Sequence, residues 1–165
     1  LRPMVADIPP LKEYDISKGF TYMYFDGEPD YVFGHGLSYT TFDYANLRIT
    51  GNVPGGQLDV RVDVRNSGRR GGDEVVQLYV RDIEASVTRP RKQLAGFERT
   101  SLKPGETKTV SFSVPSERLA FWDERRKAWV VEPGAFEVMV GGSSADIRLK
   151  GQFDVATIGQ WAPGE

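Results

Sequence analysis

The chain of 165 residues is long enough for one ordinary domain and a tail, and a domain of that size buries enough surface to fold without covalent staples. It has no cysteine, which excludes a disulfide framework and a thiolate metal site and leaves localisation unknown. Its 21 basic residues are scattered among 23 acidic ones for a formal charge of -2, so no field forms that would attract a phosphate backbone, and a nucleic acid is not an expected partner.

No apolar stretch approaches the ~20 residues needed to span a bilayer. Leu1-Arg2-Pro3-Met4 lacks the charged start and apolar run of a signal peptide, so the chain reads as soluble, with no membrane partner. It begins on leucine and enters a Pro-rich stretch at once, as a chain cut from something longer would, and a fragment is expected.

Residues 1–40 are crowded with Pro, Gly and aromatics, among them Tyr14, Phe20, Tyr22, Tyr24, Phe25, Tyr31 and Phe33, without sustained period-2 or period-3.6 patterning. Only 20–25 reads as a short strand. So many rings with so little regular structure imply packing against a surface, either on this domain or on a missing one, because left in water they would form a large apolar patch. From Phe42 the pattern becomes strand, turn, strand. A strand over 42–50 ends in Gly51-Asn52-Val53-Pro54-Gly55-Gly56. In Leu58-Asp59-Val60-Arg61-Val62-Asp63-Val64-Arg65, aliphatic and charged residues alternate strictly, which predicts one face on a core and one in water. A strand over 74–81 follows, with Val76, Leu78 and Val80 on one face.

Further strands are predicted over 93–99 and, after the turn Lys103-Pro104-Gly105-Glu106, over 107–114. The segments 119–122 and 128–131 flank the charged run Asp123-Glu124-Arg125-Arg126-Lys127 and suit a hairpin with a solvated tip. Phe136, Val138 and Val140 mark another inward face, and the last strand is predicted from Ile147 to about Val155. About eight short strands and no amphipathic helix predict an all-β fold, an antiparallel two-sheet sandwich of the immunoglobulin or fibronectin type III-like kind with an irregular aromatic-rich N-terminal extension. Residues 156–165 have too little pattern to assign and read as a tail.

The segments Tyr22-Met23-Tyr24-Phe25-Asp26-Gly27-Glu28-Pro29 and Phe33-Gly34-His35-Gly36-Leu37-Ser38-Tyr39-Thr40-Thr41-Phe42 resemble the junction that precedes the last domain of family 3 glycoside hydrolases. The resemblance continues in order through Val64-Arg65-Asn66-Ser67-Gly68, Gly72-Asp73-Glu74-Val75-Val76-Gln77-Leu78-Tyr79-Val80, Arg89-Pro90, Leu94-Ala95-Gly96-Phe97, Leu102-Lys103-Pro104-Gly105-Glu106 and Gly141-Gly142-Ser143-Ser144. It implies that residues 1–40 are the end of a preceding α/β sandwich domain and a connector, that 41–155 form a fibronectin type III-like domain, and that the parent is a retaining glycosidase of the β-glucosidase type. The catalytic aspartate and acid/base of such enzymes lie, by the same resemblance, in a barrel and an α/β sandwich whose motifs do not appear here. A barrel alone needs ~250 residues, more than this chain holds. The expectation is therefore a non-catalytic structural domain that braces the missing catalytic domains, its partners, and that is inactive alone. The alternative is a carbohydrate-binding module that holds polysaccharide near the active site.

No catalytic, cofactor-binding or metal residue is assigned. Retaining hydrolysis needs two carboxyl groups about 5–5.5 Å apart; Asp26, Glu28 and Asp30 cluster near aromatics but read as turn formers or solvated charges, and Asp73-Glu74 and Asp123-Glu124 as surface groups. His35 is the single histidine, so no multi-histidine metal site can form, and it reads as a packed junction residue. Ser38 and Ser143 have no visible base. Trp122, Trp129 and Trp161 invite a sugar-stacking role, but the first two fall on paired strands where a cross-strand or core contact is expected, and Trp161 on a mobile tail. Arg81, Arg89, Arg91 and Lys92 form a basic cluster that reads equally as a docking loop or a solvated one.

Overall fold

The computed structural model describes Tyr24, Gly27, residues 29–51 and residues 53–162; the strand predicted over 20–25, apart from Tyr24, and the acids Asp26 and Glu28 lie outside the described residues. Among the described residues ten strands follow one another: β1 (Phe42–Thr50), β2 (Gln57–Asn66), β3 (Gly72–Asp82), β4 (Gln93–Leu102), β5 (Thr107–Pro115), β6 (Phe121–Asp123), β7 (Ala128–Val131), β8 (Gly134–Gly141), β9 (Ile147–Val155) and β10 (Gly159–Trp161). They form an antiparallel sandwich of two principal sheets, ordered β1-β2-β5 and β4-β3-β8-β9, with a small third sheet ordered β10-β7-β6. The all-β architecture matches the expectation. Among the described residues the one helical piece is a 3-10 turn at Ser116–Leu119, which takes Leu119 into the core and delays the next strand to Phe121.

The alternation in β2 has its predicted consequence. Leu58, Val60, Val62 and Val64 are fully buried, and against β5 they stand in register with Val114, Phe112, Val110 and Lys108. Across the sandwich they share one core with Val76, Leu78, Phe136, Val138 and Val140. Each such side chain stabilises the fold by ~1.5–3 kcal/mol relative to exposure. β1 shows how a bulge repairs a broken period. Phe42 and Tyr44 face the core, the register shifts between Ala45 and Arg48, and Asn46 takes a left-handed φ of 54°, which brings Leu47 and Ile49 back to the same side.

The expected tail instead holds a strand. β10 pairs with β7, and Trp161 packs against the core rather than moving freely. Its indole lies across Gly159, where an added Cβ would fall 2.6 Å from Trp161 Cη2 and 2.4 Å from Pro54 Cβ. A three-residue strand has no measurable period, but a glycine two residues before a large ring is what this overlap requires. The β6–β7 hairpin turns on Asp123, whose carboxylate accepts from Arg125 N at 2.8 Å, Arg126 N at 3.1 Å and the Arg126 guanidinium.

Candidate functional site: a connector pinned to the sandwich

Residues 29–41 form no strand, yet their backbone is fixed at two places. At the first, Gln77 projects outward from β3 and is still 5% exposed. Its Nε2 donates to Gly34 O at 3.2 Å and to Gly142 O at 2.6 Å, while its Oε1 accepts from Tyr79 Oη at 2.5 Å. Gly34 has φ +77°, and a Cβ there would lie 2.2 Å from Gln77 Oε1, so both backbone and space demand glycine. Ser144 N donates to Phe33 O at 2.9 Å, and Lys92 Nζ reaches Ser144 O at 2.5 Å, so the connector and the segment between β3 and β4 both end on the β8–β9 loop. Beneath them Tyr79 and its register partner Met139 are buried on the outward side of the sheet, and burial pushes the Tyr79 phenol up to about 12.

The second place is Asn66, fully buried at the end of β2. Its Nδ2 donates to Arg70 O at 2.7 Å and Leu102 O at 3.0 Å, and its Oδ1 accepts from Thr40 Oγ1 at 2.7 Å and Gly68 N at 3.0 Å. Ser67 N adds a bond to Thr41 O at 2.9 Å. One side chain thus joins the connector, the β2–β3 turn and β4, with all its hydrogen-bonding capacity used. Near the second clamp the chain passes the start of β3, where an added Cβ at Gly72 would fall 2.8 Å from Thr40 Cγ2 and 3.6 Å from Ser38 Oγ. Fixed in this way, the connector holds Tyr31, Phe33, Leu37 and Tyr39 outward; Leu37 and Tyr39 are 94% and 92% exposed.

The other candidate residues separate into local roles. Asp30 is exposed. Asp73 accepts from Arg99 and from Ser101 Oγ, bonds that hold its carboxyl below the usual range, Ser101 contributing most. Glu74 is half-buried rather than a fully solvated surface group: it shares the inward parity of Val76, takes a 2.6 Å bond from Tyr44 Oη, and burial raises its carboxyl above the usual range. Glu124 pairs with Lys127 at the hairpin tip. The His35 ring lies 5.8 Å from that of Tyr31. Ser38 Oγ accepts from Thr40 N and Ser143 Oγ from Asp146 N, so each closes a local turn.

Trp122 and Trp129 make the expected cross-strand contact, with centroids 5.7 Å apart at 69°, and Trp161 is in register with Trp129 on the other side. Edge-to-face packing sets the two indoles at a steep angle to one another, so they do not form one coplanar row, although Trp129 remains 46% exposed. The basic cluster divides as well. Arg89 is nearly buried, bonded to Asp82 at 3.3 Å and stacked over Phe121, beside a cleft with room for little more than one water, while Arg81 is exposed. Sequence reasoning missed Asn66 and Gln77. Asn-Ser-Gly reads as a loop, and a single Gln in an apolar strand was the available sign of an outward face that something covers.

A family model described as a fibronectin type III-like domain matches residues 74–144. Over 134 residues the chain is 44% identical to thermostable beta-glucosidase B of Acetivibrio thermocellus, covering 78% of this chain and 18% of that protein. It is 49% identical over 131 residues to a beta-xylosidase of Formosa agariphila, again 78% and 18%. The structure of beta-glucosidase 3B from Thermotoga neapolitana in complex with α-D-glucose superposes with a TM-score of 0.79 at 40% identity, covering 86% of this chain and 19% of that one. The chain therefore spans about a fifth of the length of the relatives it matches.

Proposed function

This chain belongs to the fibronectin type III-like domains of family 3 glycoside hydrolases, and we propose that it acts as a non-catalytic brace for the catalytic domains of a retaining β-glucosidase-type enzyme. The observation that carries this reading is the connector: clamped by Gln77 and Asn66, it holds large apolar side chains away from its own domain. A flexible tether needs neither clamp, and a free-standing domain gains nothing by presenting Leu37 and Tyr39 to water. On this reading, residues before about 25 complete a preceding α/β sandwich domain, the connector follows, and the sandwich begins near Thr41. The relatives' lengths are consistent with a partner several times larger than this domain.

The chemistry of such a domain is packing. It supplies stiffness at a joint, while hydrolysis of the glycosidic bond belongs to the carboxylates of other domains. The full-length enzyme expressed with and without residues 41–165 tests this: loss of thermal stability and of activity in the truncated form is expected, and unchanged stability and activity would overturn the brace. Assayed alone with an aryl β-glucoside, the chain is expected to show no turnover.

A further inference from the structure

We propose that one apolar tract, formed by Phe33, Leu37 and Tyr39 of the connector with Phe97 and Val75 on β4 and β3, seats the catalytic part of the same enzyme, while the outward face of β1, β2 and β5 stays in water. The proposal rests on the brace reading above and assigns it a face. Gln77 links the two parts of the tract: its side chain bonds to Gly34, and Phe97 is its register partner on β4. Phe97 is 67% exposed, and Val75, two residues before Gln77 on the same side of β3, is 39% exposed. The connector at Gly34 and the two strand residues thus meet at one buried glutamine, and Leu37 and Tyr39 follow a few residues further along the same exposed connector.

The opposite face is built otherwise. Asp59 accepts from Ser113 Oγ at 2.6 Å, and Asp63 accepts from Thr109 Oγ1 at 2.6 Å and Asn46 Nδ2 at 2.8 Å. Arg61 stands between them, in register with Arg48 and Ser111. None of the exposed large apolar side chains belongs to β1, β2 or β5. The partner's chemistry follows from the tract: an apolar surface able to receive a leucine, a tyrosine and two phenylalanines. Two residues before Val75 on the same side of β3, Asp73 is satisfied by Arg99 and Ser101 within the chain, so a partner seated there need not bring a cation. Relatives of about five times this length carry most of their chain outside the matched region, which leaves room for such a surface on the same polypeptide.

The test places one charge at a time on each face of the full-length enzyme and of the isolated chain. Leu37→Asp and Phe97→Asp are expected to lower the melting temperature of the full-length enzyme by about 2–4 °C or more, to leave that of the isolated chain nearly unchanged, and Ser111→Asp to change neither. If Phe97→Asp also lowers the melting of the isolated chain, Leu37→Asp, whose side chain is almost wholly in water here, decides. Full-length melting that ignores both tract variants, or that falls equally with Ser111→Asp, overturns the proposal. So does a concentration-dependent dimer of the isolated chain that Leu37→Asp abolishes, which would assign the tract to a second copy. Destabilisation by deleting residues 41–165 without any effect of the tract variants would leave the brace standing and remove only this face; no effect of the deletion would remove both.

Discussion

β2 and β3 are both central strands of the sandwich and differ in what their outward sides meet. In β2, buried and open positions alternate from Leu58 to Arg65, and the outward side chains are Asp59, Arg61, Asp63 and Arg65. In β3, five consecutive residues from Val76 to Val80 are buried. Strict alternation marks a sheet with one face in water, and a continuous buried run marks a sheet covered on both sides. Here the second cover is irregular chain rather than a helix, which is why it needs the Gln77 clamp: an uncovered strand face can be left to solvent, whereas a loop laid over one must have its own backbone groups satisfied.

The largest expected effect tests the shared core beneath both faces. Val62→Asp places a carboxylate among fully buried side chains and should destabilise by several kcal/mol, whereas Asp63→Val, its outward neighbour, should cost about 1 kcal/mol or less. Urea unfolding measures both, and equal midpoints would mean that the β2 register is wrong. Next, Asn66→Ala removes four hydrogen bonds and strands the buried Leu102 carbonyl, for about 2–3 kcal/mol. Faster proteolysis near Thr40 should accompany that loss if Asn66 joins connector to sandwich; a purely local role would leave the cleavage rate unchanged.

The smallest effect concerns pH. Burial raises the Glu74 carboxyl, so the folded chain holds that proton more tightly than the unfolded one. The stability it contributes is fully present below the ordinary value of 4.5 and fades as pH rises through the higher folded value. Asp63, Asp73 and Asp123 act in the opposite sense: hydrogen bonds hold them low, and the stability they contribute, present above the ordinary carboxylate range, is lost as pH falls through their folded values. Glu74→Gln should therefore be more stable than the unsubstituted chain near neutral pH and lose that advantage below about 4. A constant difference across a pH series of melting curves would remove burial as the cause.

Most of the sandwich was legible because its strands announce themselves by alternation, as β2 and β5 do, or by turn chemistry, as at Pro104-Gly105. β10 was not, since three residues carry no period and the pairing of Trp161 with Trp129 depends on a register set elsewhere. Glu74 was half legible: its parity with Val76 points it inward, but the Tyr44 hydroxyl that receives it comes from the other sheet, 30 residues away in sequence. The clamps were the least legible part. What distinguishes Asn66 and Gln77 from ordinary polar residues is the set of backbone carbonyls the fold brings to them, and no local pattern encodes that.

Hydroxyl-radical footprinting of Tyr31, Phe33, Tyr39 and Phe97, in the isolated chain and in the full-length enzyme, tests the brace most directly. All four rings are open in this chain, so strong labelling alone and marked protection in the full-length enzyme are expected. Equal labelling in both would mean that nothing seats on these side chains, and would contradict the account.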